Sequence, residues 1–558
     1  MIRHVVQRAI RRLPRVLINT TTGHLQSRAE QASAFESLPI FNELVSSMTT
    51  HMDYVRIKRA VRQCFRYVML SHAREENEPG FQQVIHTTVY HLDASPTHDK
   101  LRMFCKITRD AGFMWAWSET CCVDISDDFV LQEALVAMSR WYQYSDLVIV
   151  FLRGVCSSSQ RGALMRSLWN TCAWSLQGYV LSRVIRFYTE DWTPYLNLTL
   201  PNHKESLEVI SEMEQATGLS AQQLVALRPG LTSVREKLHL ASTRKTALVE
   251  DTAYSLLGIF SVTGMPVIYG EGEAPLGRLL AHILTGSGDT SILAWTGESG
   301  SFNSCLPTSI TVFNKSATSH IPQPNVPILD TEKEIVISTS HVPSFDLNMA
   351  LRLYDRLHEL PMPQFAAHRL KLACIAFELP ALSSYQTNSG FIYRADTFAF
   401  GSVEIRTRQD LSRTNRLYLI HPWLDSILDR GEETQSGAFM DDDVSEPPSP
   451  NEDNEEISDE EVNGEEEEEG SNNGSASSLS ARGFPSPLAP AYLVPMDRET
   501  RARQFVARLR QRFGALLFVL SLEGDYRRVA ADAEINVQFQ ESFSLADILD
   551  NVRILDVL

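Results

Sequence analysis

The chain has 558 residues, enough for roughly three or four domains, and its 43% hydrophobic content is typical of a globular protein with large cores. The formal net charge of -18 arises mostly in residues 441–470, which hold 16 acidic residues and no Lys or Arg. Without that segment 53 acidic residues face 51 basic ones, which excludes an overall nucleic-acid footprint or polybasic membrane patch. No apolar run approaches the roughly 18–20 residues of a transmembrane helix, so we expect no membrane span.

The eight cysteines include no Cys-x-x-Cys pair, and the vicinal pair Cys121–Cys122 is a poor disulfide candidate with an unusual spacing for zinc. We therefore expect buried, reduced thiols in a cytoplasmic protein without a metal site. The first 29 residues contain six arginines and no acid. This composition fits a mitochondrial transit peptide, or a basic surface segment that leads into a short strand at residues 15–19.

Short apolar segments alternate with helical patterns between residues 67 and 188. Strands are predicted at residues 67–71, 113–119, 147–152 and 184–188, and helices at 95–110, 129–144 and 165–181. A helix between two strands returns the chain to the edge where the first strand began, so the strands should lie parallel. Near-continuous apolar strands of this kind are typical of sheets that are buried on both faces. The sequence therefore predicts an α/β fold with a doubly wound parallel sheet and a helical extension over residues 203–290.

The pattern changes beyond about residue 310, where extended segments at 333–338, 369–377, 391–405 and 416–420 predict a β-rich C-terminal domain. Residues 432–490 are acidic and then rich in Ser, Asn, Gly and Pro, a composition that cannot bury enough apolar surface to fold. A helix at 498–513 and a strand at 515–522 should dock onto the β-rich domain. The predicted domains are a lead-in segment (1–60), the α/β domain with its extension (61–300), the first part of the β-rich domain (310–431), the acidic disordered insertion (432–490) and the rest of the C-terminal domain (491–558).

Four sequence blocks occur in order along the α/β region. They are Tyr-Val-Met-Leu-Ser-His at residues 67–72, Trp-Ser-Glu-Thr-Cys-Cys-Val-Asp at 117–124, Cys-Ala-Trp-Ser-Leu-Gln-Gly at 172–178, and a longer segment within 243–272. Together they resemble the fungal heterokaryon-incompatibility (HET) domain over about residues 60–300. The resemblance implies a role in self/non-self recognition and programmed cell death. It also implies a relative of the TIR fold, with the flavodoxin-like sheet expected above.

Some TIR-like domains hydrolyse NAD with a glutamate on the helix after a central strand, and the resemblance makes the last position of the third block its equivalent. Here that position is Gly178, and the arginine that usually opens the block is Cys172. Glycine has no carboxylate, and within a helix it costs about 0.5–1 kcal/mol relative to alanine. The usual Trp after the first block is Arg74, and the usual Asp of the second block is Glu119. These departures predict a degenerate effector site.

In an open parallel sheet the ligand binds at the carboxyl ends of the strands. The candidate catalytic residues at that edge are Ser71, His72, Glu119 and Asp124, each with a structural alternative. His72 would otherwise be a hydrogen-bonded residue at a strand end, and the two carboxylates would otherwise cap a loop or a helix. The candidate ligand-binding residues are Trp174 and Gln177, and Trp174 would otherwise belong to the core.

The resulting expectation is a HET-type signalling protein that acts through protein contacts, including contacts with a second copy, and needs no cofactor. The alternative is a TIR-like enzyme with NAD as its substrate, in which a carboxylate stabilises an oxocarbenium-like state. A third possibility is a decaying gene copy without activity.

Overall fold

The computed structural model describes residues 1–47, 53–226, 233–314, 346–380, 382–387, 390–412, 416–423 and 498–558. Residues Met1–Asp425 and Ala502–Leu558 belong to one compact unit, which contains both the α/β part and the β-rich part. The strand expected at 333–338 and the acidic segment 432–490 lie outside the described residues. Within the described ranges no helix is both long enough and apolar enough to cross a membrane.

The first sheet has six strands in the order β2-β1-β4-β3-β5-β6. The pairs β3–β4, β3–β5 and β5–β6 are parallel, which confirms a parallel sheet in an α/β protein. The pairs β1–β2 and β1–β4 are antiparallel, so residues within the expected lead-in segment form one edge of this sheet. The strands are β1 (Val16–Asn19), β2 (Leu25–Ser27), β3 (Tyr67–His72), β4 (Trp115–Trp117), β5 (Leu147–Leu152) and β6 (Ile185–Thr189).

The composition of the central strands explains their position. All six residues of β5 are buried, as are the first five of β3. Strands that are apolar at successive positions need cover on both faces, which parallel strands with helical connections provide. Taken by themselves in chain order, the four parallel strands lie 2-1-3-4, which is how the flavodoxin-like strand order begins. The order reverses between β3 and β5, and ligands of such sheets bind beside this reversal.

The helices of the α/β part differ from the predicted ones in several places. The chain between β5 and β6 was predicted to hold one helix over 165–181, which is wrong, because two short helices are separated at Cys172. Cys172 is extended and pairs with Lys245, whose N–H donates to the Thr171 carbonyl at 2.7 Å. The helices are α1 (Ile2–Ile10), α2 (Arg28–Glu36), α3 (Pro39–Ser47), α4 (Tyr54–Cys64), α5 (Phe81–Val84), α6 (Pro96–Asp110), α7 (Glu119–Cys122), α8 (Asp128–Tyr144), α9 (Leu168–Thr171), α10 (Ser175–Leu181), α11 (Leu207–Thr217), α12 (Ala221–Ala226), α13 (Val234–Ser242), α14 (Asp251–Tyr254) and α15 (Ala274–Ser287).

Two further boundaries are corrected near the carboxyl edge of the sheet. The strand predicted over 113–119 ends at Trp117, and Glu119 instead begins the short helix α7. Ser126 is also a residue type that caps helices, but the cap of α8 is Asp127, whose carboxylate accepts the N–H groups of Phe129 and Val130. The side chains at positions 126 and 127 can both cap a helix, so the local path of the backbone determines which of them accepts the N–H groups.

The β-rich part confirms the expected change of pattern. The strands β12, β13, β14, β16 and β8 pair in that order, and β8 pairs back to β12, so the five strands close into a barrel. The strands are β7 (Gln364–Ala366), β8 (Arg369–Glu378), β9 (Ser383–Thr387), β10 (Gly390–Thr397), β11 (Gly401–Thr407), β12 (Leu417–Pro422), β13 (Phe513–Leu520), β14 (Tyr526–Val529), β15 (Ile535–Val537) and β16 (Val552–Val557). Three helices accompany them: α16 (Leu347–His358), α17 (Arg498–Leu509) and α18 (Leu545–Asp550).

Arg528 of β14 joins the barrel to the helical extension. Its guanidinium donates to the carbonyls of Leu293 and Trp295, each at 2.7 Å, and lies 3.8 Å from the Trp295 ring. Burial lowers the pKa of Arg528 to about 10, so the side chain is charged at neutral pH. Carbonyl dipoles and the aromatic face stabilise this buried cation. The barrel and the extension are therefore held together by a specific polar contact as well as by apolar packing.

Candidate functional site

The carboxyl end of β3 places Ser71 in a closed environment. Its hydroxyl accepts a hydrogen bond from the Trp169 indole at 2.9 Å. A Cβ atom added to Gly178 would lie 3.1 Å from Ser71 Oγ and 3.3 Å from a ring carbon of Tyr142. The position of the expected family carboxylate therefore faces the end of β3, but Ser71 and Tyr142 already fill the space in front of it.

Tyr142 lies near positions 172 and 178, the two positions of the third block that depart from the expected pattern. Burial raises the pKa of its phenol, the charge of Glu119 raises it further, and a hydrogen bond with Ser71 opposes them. The Cys172 thiol is a further electrostatic neighbour of the same phenol. Arg244 donates to the Cys172 carbonyl at 2.9 Å, so a guanidinium is still present beside position 172. It binds carbonyl, hydroxyl and amide oxygens there and faces no carboxylate among its hydrogen-bond partners.

Glu119 lies half-buried at the end of β4, near the loop that follows β3. Burial raises the pKa of its carboxyl group; the charges of Arg74 and His72 oppose this shift, and that of Asp251 adds to it. Among the described residues its carboxylate accepts no hydrogen bond. A carboxyl group of this kind exchanges protons at a higher pH than an exposed glutamate, as general acid–base chemistry requires.

Asp251, at the start of α14, is the second carboxyl group of the site. It is buried, and burial raises its pKa although hydrogen bonds from Trp174 and Tyr269 favour the ionised form. The Tyr269 hydroxyl donates to Oδ1 of Asp251 at 3.0 Å. Trp174 therefore lies against Asp251, and Asp251 in turn is an electrostatic neighbour of Glu119. Two carboxyl groups with raised pKa values therefore lie in one electrostatic neighbourhood.

Replacing Glu119 by glutamine should stabilise the protein at pH 8. Because the folded state raises the pKa of Glu119, its ionised form is less favourable there than in the unfolded chain. The gain should disappear near pH 4, where the carboxyl group is protonated in both states. Urea unfolding at the two pH values measures this, with Asp124→Asn as a control of opposite sign because the pKa of Asp124 is lowered by hydrogen bonds from Ser126. Equal midpoints for wild type and Glu119→Gln at pH 8 would contradict the raised pKa.

A buried charge network surrounds His72. Its Nε2 atom lies 2.8 Å from Glu78 Oε2, and Lys100 lies 2.6 Å from Glu78 and 2.9 Å from Glu75. Arg153, which directly follows β5, reaches Glu75 at 3.2 Å. Burial by itself would raise the pKa of Glu78, but the hydrogen bond from His72 and the charges of His72 and Lys100 hold it at about 2. The network therefore bridges the ends of β3 and β5 with ionised groups.

Two predicted site residues lie apart from this arrangement. The Asp124 carboxylate accepts from the N–H and hydroxyl of Ser126 and from Gln82, so it shapes the turn before α8. Gln177 is fully buried and donates to the Ser255 carbonyl at 2.8 Å, which joins α10 to the chain after α14. No group of three His, Cys, Asp or Glu side chains within the described residues could hold a metal ion.

Sequence reasoning missed Asp251, Tyr142, Glu78 and Lys100. Asp251 belongs to a block that carried the family resemblance, but we assigned that block only to a helix. The pair Glu75 and Glu78 stands in a polar loop just after a strand, which is a usable signal for the carboxyl edge of a sheet. Nothing in the local sequence of α6 marks Lys100 as buried, because lysines at helical spacing are usually exposed.

Part of the chain is similar in sequence to one characterised protein. The vegetative incompatibility protein HET-E-1 of Podospora anserina is 32% identical over 197 residues, which is 33% of this chain and 14% of that protein. The chain therefore matches only a small part of the relative's length. No family model matches the chain, and no solved structure matches it. About a third of this chain is related in sequence to a fungal vegetative incompatibility protein.

Proposed function

We propose that this chain is a heterokaryon-incompatibility-type protein that signals cell death through protein contacts, with an effector site that has lost its carboxylate. The TIR-like relationship is part of the proposal, and the 2-1-3-4 order of the parallel strands supports it. All eight cysteines are free thiols, which is typical of the reducing cytoplasm.

The observation that carries the proposal is the environment of Gly178. Ser71 and Tyr142 occupy the space into which a side chain at this position would point. The arginine expected at position 172 is absent as well, and both positions adjoin the same phenol. Arg244 remains beside position 172 without a carboxylate among its described hydrogen-bond partners, so the region is packed without the acid and the arginine that the resemblance implies.

Exposed apolar side chains on α8 support a role in protein contacts. Phe129 is 71% exposed and Val136 is 44% exposed, and residues seven apart lie on the same face of a helix. Ile125, in the turn before α8, is 53% exposed. An exposed group of large apolar side chains is costly in water unless a partner covers it.

The second candidate is a TIR-like NAD hydrolase, and the pair Glu119 and Asp251 favours it. Both carboxyl groups have raised pKa values, and they lie near each other at the carboxyl edge of the sheet. Such a pair could stabilise positive charge on a ribosyl group and deprotonate water, without a residue at position 178. In this reading the catalytic carboxylate has moved from α10 to the end of β4.

Expression of the full chain in a fungal host separates the two functions. We expect expression to stop growth, Phe129→Lys to abolish this effect, and the double variant Glu119→Gln/Asp251→Asn to retain it. Phe129 is exposed, so its substitution should leave the urea midpoint unchanged, which checks that the variant folds. If instead the double variant is inactive and Phe129→Lys remains toxic, the protein-contact proposal is wrong.

The purified full chain provides the matching biochemical measurement. Incubated with NAD, it should release no more nicotinamide than the Glu119→Gln/Asp251→Asn variant. Release by the wild type that is lost in the double variant would establish the hydrolase.

A further inference from the structure

The loop between β5 and α9 borders an open surface cavity of about 640 Å³ that neither candidate function uses. The loop begins at the carboxyl end of β5, beside the reversal of strand order between β3 and β5. Open α/β sheets bind ligands at such a reversal, and the volume suits a small molecule. The polar and charged residues that line the cavity are Arg153, Ser159, Gln160, Arg166 and Ser167.

The charge of the cavity lining is positive. It contains two guanidinium groups and no carboxylate. Arg166 forms no ion pair with any described residue, and Arg153 forms one, through Nε, with Glu75 at 3.2 Å. Several acids lie behind the loop: Glu190 and Asp191 accept the backbone N–H groups of Gly154 and Ser157, and Glu212 accepts that of Met165. Their charge is thus directed to the backbone, and the guanidinium groups of the lining are left without a full complement of anions.

The guanidinium groups of the lining indicate which class of ligand the cavity binds. A guanidinium group presents parallel N–H donors that match two phosphate oxygens, which makes arginine the usual residue for phosphate recognition. The Ser159 hydroxyl and the Gln160 amide add neutral polar groups, whereas the Ser167 hydroxyl already donates to the Leu164 carbonyl at 2.7 Å. We propose that this cavity binds a small molecule that carries phosphate groups. The site holds for either function above, since it depends on no residue of the Glu119–Asp251 pair.

Ligand binding would also reach the charge network around His72. Arg153 belongs both to the cavity and to the ion pair with Glu75, and Glu75 shares Lys100 with Glu78. A phosphate bound by Arg153 would share that guanidinium with Glu75, which contacts its Nε atom. Occupancy of the cavity is therefore coupled to the ends of β3 and β5.

Titration calorimetry of the full chain with inorganic pyrophosphate tests the proposal. We expect saturable binding that is weakened about tenfold by Arg166→Gln, because each charge-assisted hydrogen bond contributes to affinity on that scale. Gln160→Glu should weaken it comparably, since it places a negative charge in the lining without changing side-chain size. Arg161→Gln is the matched control. Arg161 lies in the same loop before α9, but its guanidinium pairs with Glu208 outside the cavity.

The outcomes are distinguishable. Absence of pyrophosphate binding by the wild type, or equal weakening by Arg161→Gln, overturns the proposed site. Because Gln160 is exposed, Gln160→Glu remains informative if Arg166→Gln fails to fold. The measurement involves neither nicotinamide release nor cell death, so its failure leaves the proposed function untouched.

Discussion

Replacing Gly178 by glutamate is expected to destabilise the protein by about 3–5 kcal/mol at pH 7. The new Cβ would lie 3.1 Å from Ser71 Oγ and 3.3 Å from Tyr142, so these side chains must shift by a few tenths of an ångström for the Cβ and further for the carboxylate. The charge would be buried near the ionisable Glu119, which disfavours it further. Urea unfolding at pH 7 measures the loss.

Gly178→Ala is the matched control for this prediction. Alanine is favoured over glycine in a helix by about 1 kcal/mol, and the tight contact with Ser71 and Tyr142 opposes that gain. We therefore expect a change of less than about 1 kcal/mol. A Gly178→Glu protein as stable as wild type would mean that the site still accommodates the family carboxylate, and the degenerate-site proposal would lose its main support.

Replacing Glu78 by glutamine is expected to cost about 3 kcal/mol of unfolding free energy at pH 7. The Glu78 side chain is 3% exposed and binds both His72 and Lys100, whose side chains are 6% and 4% exposed. Removing the carboxylate leaves Lys100 buried with Glu75 as its remaining acidic partner and leaves His72 without its hydrogen-bonded carboxylate. Breaking one partner of a buried ion pair is costly because the other charge stays desolvated.

The contribution of Glu78 to stability should depend on pH. Although burial opposes ionisation, the contacts with His72 and Lys100 hold the folded pKa of Glu78 at about 2, below its unfolded value of 4.5. The stability from this group is therefore complete above about pH 5 and is lost as the pH falls towards about 2. Urea midpoints of wild type and Glu78→Gln should converge over that range. Glu208→Gln, which removes a surface ion pair with Arg161, should leave the urea midpoint nearly unchanged throughout.

The sequence predicted the parallel sheet well because its evidence is local. Residues 147–152 are apolar at every position, and only a strand covered on both faces satisfies such a run. The β-rich part was recognised for the same reason, from segments of suitable length and composition. The break in the helix predicted over 165–181 was not recognised from the sequence. Cys172 is extended there because it pairs with Lys245, which lies far away in sequence.

The residues of the candidate site divide in the same way. Strand ends identified Ser71, His72 and Glu119, because parallel strands all present their carboxyl ends at one edge. Asp251 enters the electrostatic neighbourhood of Glu119 only in the folded chain, and no periodicity in the sequence reports an interaction between residues so far apart.

The sequence by itself thus determined which segments form the sheet, which edge carries polar residues, and that position 178 has no carboxylate. The tertiary structure decided that Ser71 and Tyr142 close the space in front of Gly178, that Lys100 is buried between two glutamates, and that five strands close into a barrel. The physical reason is the sequence separation of the residues that interact. Burial patterns are set by neighbours a few residues apart, whereas distances between remote side chains depend on how the whole chain packs.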